Sequence, residues 1–220
     1  AAYIKANART VFGDEKWSSE EKGTMLAFEA RKDSPVPVNI RYKGMDAETR
    51  TQLIKIMFLF CVTSNKKIGY YELDFKKWNE KNDALTKGGK KARGITGPYL
   101  KMILKKVAKD ARKVLGKGKI AFMHDRAPAF QSCCKDKELA ALFDGGVRMA
   151  AGKAPDMSQL DAGVCPYMER EVEEAGAKNE AEIRAAVKRA WAKLTDADCI
   201  KISKKVRSNM LKVIAQKGGN

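Results

Sequence analysis

The sequence predicts an α/β fold, a mixed sheet flanked by helices with a helical extension at its C-terminal end. Three observations predict it: two adjacent β-rich runs around residue 60 joined by a turn, helix and strand patterns alternating from residue 98 to about 150, and helical patterns alone beyond that. The 220 residues, 44% of them apolar, are enough to bury the core of one ordinary domain. We expect residues 1–176 to carry the sheet and residues 177–220 to form the extension packed on it.

The elements follow in order. "RTVFGDEKW" offers a short strand, and "TMLAFEA" and "VPVNIRY" bracket the turn signal "RKDSP" as an exposed hairpin. "TQLIKIMFLFCVTS" and "KKIGYYELDF", separated by "SNKK", read as an antiparallel hairpin of two central strands. The polar, Gly-containing "KKWNEKNDALTKGGKKARGITG" is expected to be a loop, with Lys87, Lys90, Lys91 and Arg93 as candidate phosphate contacts. From Pro98 to Leu115, Leu100, Ile103, Leu104, Val107, Ala111 and Val114 recur at spacings of three and four, which predicts an amphipathic helix opened by Pro98 and closed by Gly116. A strand "KIAFMH", a helix around "CKDKELAALF", a short strand "GVRMAA" and helices over 158–175, 179–193 and 196–216 complete the chain. The basic face of the last helix adds Lys204, Lys205 and Arg207 to the candidate nucleic-acid contacts, against the plainer reading of a solvated surface.

Charge narrows the partners. There are 44 Lys and Arg against 27 Asp and Glu, a formal +17 with a pI near 9.7, so a polyanion is the expected partner. Nucleic acid comes first and an anionic membrane surface second. The longest apolar run, "IMFLFCV", is far too short to span a bilayer as a helix. Five cysteines without a CxxC pair and a single histidine give no zinc constellation, and the thiols are expected to be reduced. Cys133 and Cys134 are read as packing plus one exposed thiol, and Trp17, Trp78 and Trp191 as core or cover residues. The opening "AAYIKANART" has neither a methionine nor a signal-peptide core, and is expected to be a truncation edge or a processed end.

Three acids stand out. In "AFMHDRAPAF" an apolar run stops at Asp125 before an Arg-Ala-Pro turn, and the C-terminal ends of buried strands are where open α/β sheets place ligands. The plain alternative is a turn or helix-capping aspartate. Asp14 follows the first strand in "FGDEKW", and Asp161 lies near a helix start in "APDMSQLDAGV". Carboxylates from separate elements of a rigid sheet are what two Mg²⁺ ions about 3.5 to 4 Å apart require for phosphodiester cleavage. Strand alternation points His124 away from Asp125, as a core or supporting residue.

"DEKW" (Asp14 to Trp17), "MHDRAPAF" (Met123 to Phe130) and "APDMSQLDAGV" (Ala154 to Val164) resemble the three signature blocks of mariner-type DNA transposases, of the kind found in plants and protists. The tail "AEIRAAVKRAWAKLTDADCIKISKKVRSNMLKVIAQKGGN" resembles that family's C-terminal helices. The resemblance covers nearly the whole chain and implies an RNase H-like catalytic domain for metal-dependent DNA strand cleavage and transfer. It puts the catalytic, metal-binding triad on Asp14, Asp125 and Asp161, holding two ions of Mg²⁺ or Mn²⁺. The last two are separated by 35 residues, a spacing usual for the family. Asp161 takes the third role because it closes the pattern Pro-Asp-x-x-x-x-Asp, and Asp156 is left to cap the helix. DNA as partner, a homodimer and nuclear placement come with the same resemblance.

Departures from the family pattern shape the expectations further. Arg126 stands for the family's Asn and Phe130 for its His, Ser18 replaces an aromatic, and Pro166 is expected to kink or shorten the helix behind Asp161. A guanidinium at Arg126 would compete with a metal for Asp125, and it is also a candidate nucleic-acid contact. The paired helix-turn-helix domains that read transposon ends in the family are expected to be missing, because about ten residues precede the first strand. The alternative is a domesticated, non-catalytic descendant that binds DNA or structured RNA within a large nucleoprotein complex such as an organellar (mitochondrial) ribosome.

Overall fold

The computed structural model of the chain describes residues 2–19, 26–31, 34–39, 55–85, 89–92, 94–125, 127–150 and 158–216. In chain order the elements are α1 (Ala2–Asn7), β1 (Thr10–Ser19), β2 (Leu26–Arg31), β3 (Ser34–Asn39), β4 (Lys55–Val62), β5 (Lys67–Glu72), α2 (Phe75–Lys81), α3 (Gly97–Leu115) and β6 (Ala121–His124). Then come α4 (Pro128–Cys133), α5 (Lys137–Leu142), β7 (Val147–Met149), a π-helical turn (Leu160–Val164) running into α6 (Cys165–Glu174), α7 (Glu180–Lys193) and α8 (Asp196–Ala215).

Five strands form one sheet in the order β5-β4-β1-β6-β7, antiparallel among β5, β4 and β1 and parallel from β1 through β6 to β7. This is the mixed sheet that the sequence predicts. The run "IMFLFCV" is continuous rather than alternating because β4 is covered on both sides. Ile56, Phe58, Phe60 and Val62 join one buried cluster with residues of α6, α7 and α8, while Leu59 and Cys61 join the other with α3 and α4. Removing a fully buried side chain such as Phe58 or Leu104 would leave a cavity costing about 2 to 5 kcal/mol. α7, α8 and the turn between them supply Ile183, Ala186, Val187, Ala190, Leu194 and Cys199 to the same cluster as β4.

Five details differ from the expectation. β1 is ten residues long and central, not a short strand, and β5 lies at the sheet edge rather than in its centre. The segment expected as one loop opens with α2, which Asp74 caps through Lys77 N–H. Its polar composition hid a helix whose inner side needs few apolar residues: Phe75 is buried and Trp78 packs on Tyr99, ring centroids 5.5 Å apart. Buried Asn79 then closes the following turn, its Nδ2 donating to the carbonyls of Ala92 (3.2 Å) and Gly94 (2.8 Å). Finally, α4 forms ahead of the predicted helix around residue 139, which is α5, and Val114 is 43% exposed rather than core. The hairpin β2–β3 pairs antiparallel as expected.

One arginine holds the sheet to α3. Arg9 donates from Nη1 to the Leu115 carbonyl (2.7 Å), from Nη2 to Gly116 (3.1 Å) and Gly118 (3.0 Å), and from Nε to Lys119 (2.9 Å). A cation at a helix C-terminus satisfies carbonyls that have no partner within the helix. It also sets the entry into β6, whose first residue, Ala121, donates to the Arg9 carbonyl at 3.0 Å. Arg9→Met is therefore expected to cost about 2 kcal/mol, read as a melting point lower by roughly 4–8 °C. An unchanged melting curve would contradict this role.

Candidate metal centre

Parallel pairing of β1 with β6 ends at Phe12 opposite Met123, and Asp14 and Asp125 each lie two residues farther on. The two carboxylates therefore come from neighbouring segments, β1 and the residue after β6, at the same level of the sheet. Asp14 belongs to the middle of β1 rather than following a short strand. Side chains alternate across a strand, so Phe12, Asp14 and Lys16 share the face covered by α6. Phe12 packs with that cluster, and Lys16 pairs with Glu169 at 2.8 Å. Asp161, in the π-helical turn that leads into α6, approaches from this side and is exposed.

Electrostatics records the convergence. The Asp14 carboxyl is pushed up to about 7, first by burial and then by Asp161, with Glu15 and Asp125 adding and His124 opposing. Like charges close together disfavour ionisation. Asp14 thus feels the charge of both other predicted acids, but among the described residues the ligand-capable atoms gathered within 4.8 Å are those of Asp14, Glu15 and His124, without Asp125 or Asp161. The arrangement suits a divalent cation, which would relieve this repulsion.

Asp125 sits just past β6 and accepts from the Ala127 N–H at 3.0 Å, so it also makes the turn ahead of α4. His124 Nδ1 lies 2.5 Å from its Oδ1, and His124 Nε2 lies 2.8 Å from Glu15 Oε2. The alternation argument for His124 thus fails in one respect. The strand ends before Asp125, whose carboxylate turns back to the ring. Burial works to lower the His124 pKa, but hydrogen bonds to Asp125 and Glu15 override it and lift it to about 9. The same bond from His124, against burial, holds the Asp125 carboxyl below its usual value. The imidazolium stacks on Phe130, ring centroids 3.3 Å apart, and Phe130 continues onto Phe122 at 5.7 Å. The departure at Phe130 therefore gives the buried cation an aromatic face.

Ligand-capable atoms of Asp14, Glu15 and His124 all lie within 4.8 Å of one another. Both His124 nitrogens already face carboxylates, so a metal taking His124 as ligand would have to displace Glu15 or Asp125 from the ring. Asp14, Asp125 and Asp161 have the donor chemistry for a metal, hard carboxylate oxygens on three elements with Asp125 and Asp161 exposed, although the three do not form a group within 4.8 Å among the described residues. Glu15 was missed by the sequence reading, which took only Asp14 from "DEKW". Its signal was parity: a glutamate facing the buried helix layer needs a partner, and the chain holds one histidine.

The candidate nucleic-acid contacts divide. Lys87, Arg93 and Arg126 lie outside the described residues, as do Asp156 and the Trp17 side chain. Lys90, Lys91, Lys204 and Arg207 are exposed. The Lys205 ammonium donates to the Ala162 carbonyl at 2.9 Å. Cys133 is buried and Cys134 half-buried, both free thiols. Trp191 stacks on Phe60 at 5.9 Å and covers the sheet. No described helix is long and apolar enough to cross a membrane.

Comparison with solved structures gives the class. The Mos1 mariner paired-end complex with Mn superposes with a TM-score of 0.65 at 14% identity, over 97% of this chain and 56% of that one. The Mos1 strand transfer complex gives 0.64 at 14% identity, over 100% and 57%. The Mos1 transposase catalytic domain with Raltegravir and Mg gives 0.60 at 15% identity, over 96% and 85%. This chain thus has the RNase H-like fold of the mariner transposase catalytic domain, and spans a little over half of the longer Mos1 chains. No protein-family model and no curated protein matches it.

Proposed function

We propose that the chain is a mariner-type transposase catalytic domain that cleaves and joins DNA strands with the help of divalent metal ions. The observation that carries this reading is the fold shared with the Mos1 catalytic domain, together with the placement of Asp14 in central β1, Asp125 just past the neighbouring β6 and Asp161 in the π-helical turn packed on the same side. Asp14, Asp125 and Asp161 would hold Mg²⁺ or Mn²⁺, two ions in this reading. When bound, such ions supply activation of a water or 3′-hydroxyl and stabilise the leaving oxygen. The chain's own residues do the positioning. β1 fixes Asp14, the His124–Phe130 stack orients Asp125 and keeps it ionised, and the π-helical turn presents Asp161. Exposed Lys204 and Arg207 are suited to track DNA phosphates. Residues 177–220 belong to this reading as an extension packed on the catalytic unit.

The test is nicking of supercoiled plasmid in Mn²⁺. Wild type is expected to nick, and Asp125→Ala to lose at least 100-fold of the rate, on the scale of a stabilising interaction lost from a polar transition state. Equal rates in both proteins would overturn the reading. No nicking by wild type, together with salt-dependent binding of RNA, would favour the non-catalytic alternative, to which the +17 charge is equally suited.

A further inference from the structure

We infer that α8 is a positioning element for Asp161, acting through a hydrogen bond from Lys205 that Pro166 makes necessary. This rests on the proposed metal site for its functional meaning. Its physical basis is local. Proline has no N–H to give to the helical carbonyls before it, and in this turn, where Cys165 N–H reaches five residues back, Pro166 withholds a donor from both Asp161 (five back) and Ala162 (four back). Ala162 is buried, so a carbonyl left without a donor there would be costly. Lys205 Nζ reaches across from α8 and donates to it at 2.9 Å.

The approach is close because residue 163 is glycine: a Cβ there would stand 2.5 Å from Ile202 Cγ1. Ile202 and Lys205 are three residues apart and lie on one side of α8. That helix is anchored independently of the turn. Thr195 and Asp198 form a capping box at its start, and Asp196 accepts from Lys66 Nζ (2.8 Å) and Lys67 N–H (3.0 Å). Buried Ser203 donates to the Ser64 carbonyl at 2.7 Å. Hydrogen bonds therefore run from the β4–β5 turn through α8 to the backbone beside Asp161. The kink expected from Pro166 becomes the π-helical turn, in which Cys165 N–H reaches the Leu160 carbonyl five residues back. Lys205, expected from sequence as a phosphate contact, is here a backbone ligand.

A double-mutant cycle decides. Alanine at 166 restores an N–H that can serve the Ala162 carbonyl, so Lys205 should matter with proline and not without it. In EDTA, Lys205→Met is expected to speed amide hydrogen exchange at residues 162–165 about ten-fold, and Lys205→Met with Pro166→Ala less than about two-fold relative to Pro166→Ala alone. Mn²⁺ affinity should follow the same pattern, with a loss of about ten-fold for Lys205→Met, the scale of supporting contacts around metal ligands. Lys205→Arg should retain both. Equal effects of Lys205→Met in the two backgrounds, or none in either, would overturn the inference. Loss of DNA binding without either change would instead make Lys205 a phosphate contact. A wild type that binds no Mn²⁺ would remove the metal-site reading, and the exchange cycle in EDTA would still decide whether α8 holds the turn.

Discussion

Asp14→Asn is expected to abolish strand cleavage, by a factor on the order of 10³, and to raise the melting temperature of the metal-free protein. The first effect follows from the proposed role of Asp14 as a ligand, since metal ions contribute several kcal/mol of charge stabilisation in phosphoryl transfer. The second follows from what surrounds Asp14 without metal. Burial and the nearby Asp161, Glu15 and Asp125 raise its folded-state pKa from 3.8 to about 7. A raised carboxyl contributes stability that is complete below the unfolded value and is lost as pH rises through the folded one. At pH 8 the ionised Asp14 therefore opposes folding, and an amide of the same shape does not. His124 acts in the same direction at higher pH, since its pKa is raised from 6.5 to about 9 and its contribution fades as pH climbs through that value. The metal-free protein should lose stability from about pH 4 to pH 9, and Mn²⁺ should stabilise more at pH 8 than at pH 5.5, where it must displace a proton from Asp14. Thermal melts in EDTA and Mn²⁺ at the two pH values measure all of this. A destabilised Asp14→Asn in EDTA at pH 8 would contradict the account.

His124→Leu should be the most destabilising single change at the site, by about 3 to 5 kcal/mol, because it leaves the Glu15 carboxylate facing the helix layer without its cation. The Glu15 side chain is 13% exposed and His124 fully buried, so water cannot replace the pairing. The change would also free the Asp125 carboxylate from the ring that orients it. Adding Glu15→Gln to His124→Leu should recover part of the stability, since the uncompensated charge is then gone, but not the orientation of Asp125. Urea denaturation of the two single variants and the pair would show this. Additive losses would mean that Glu15 and His124 do not act on each other.

Much of the fold was legible because each signal had one dominant cause. The spacing from Leu100 to Ala111 marks a helix with one buried face, and the continuous run in β4 marks a strand covered on both sides. α2 was not legible, because two aromatic anchors and an aspartate cap carry it while lysines dominate its composition. At the site, the positions of Asp14, Asp125 and Asp161 came from their blocks. Their electrostatic coupling depended on the parallel register of β1 with β6, which no short stretch encodes. The Glu15–His124–Asp125 chain needed knowledge of which residues fall on the same face at a distance of 109 positions. Lys205 looked like one more basic surface residue, and its partner is a backbone carbonyl that no sequence pattern displays.

The most direct measurement is calorimetric titration of Mn²⁺ into the wild type and into Asp161→Asn, each in two buffers of different ionisation heat. Asp161 is exposed, so the substitution should leave the fold intact. The wild type is expected to bind Mn²⁺ with proton release, and Asp161→Asn to lose that binding. Indistinguishable isotherms for the two proteins, or no binding by the wild type, would contradict the proposed metal site.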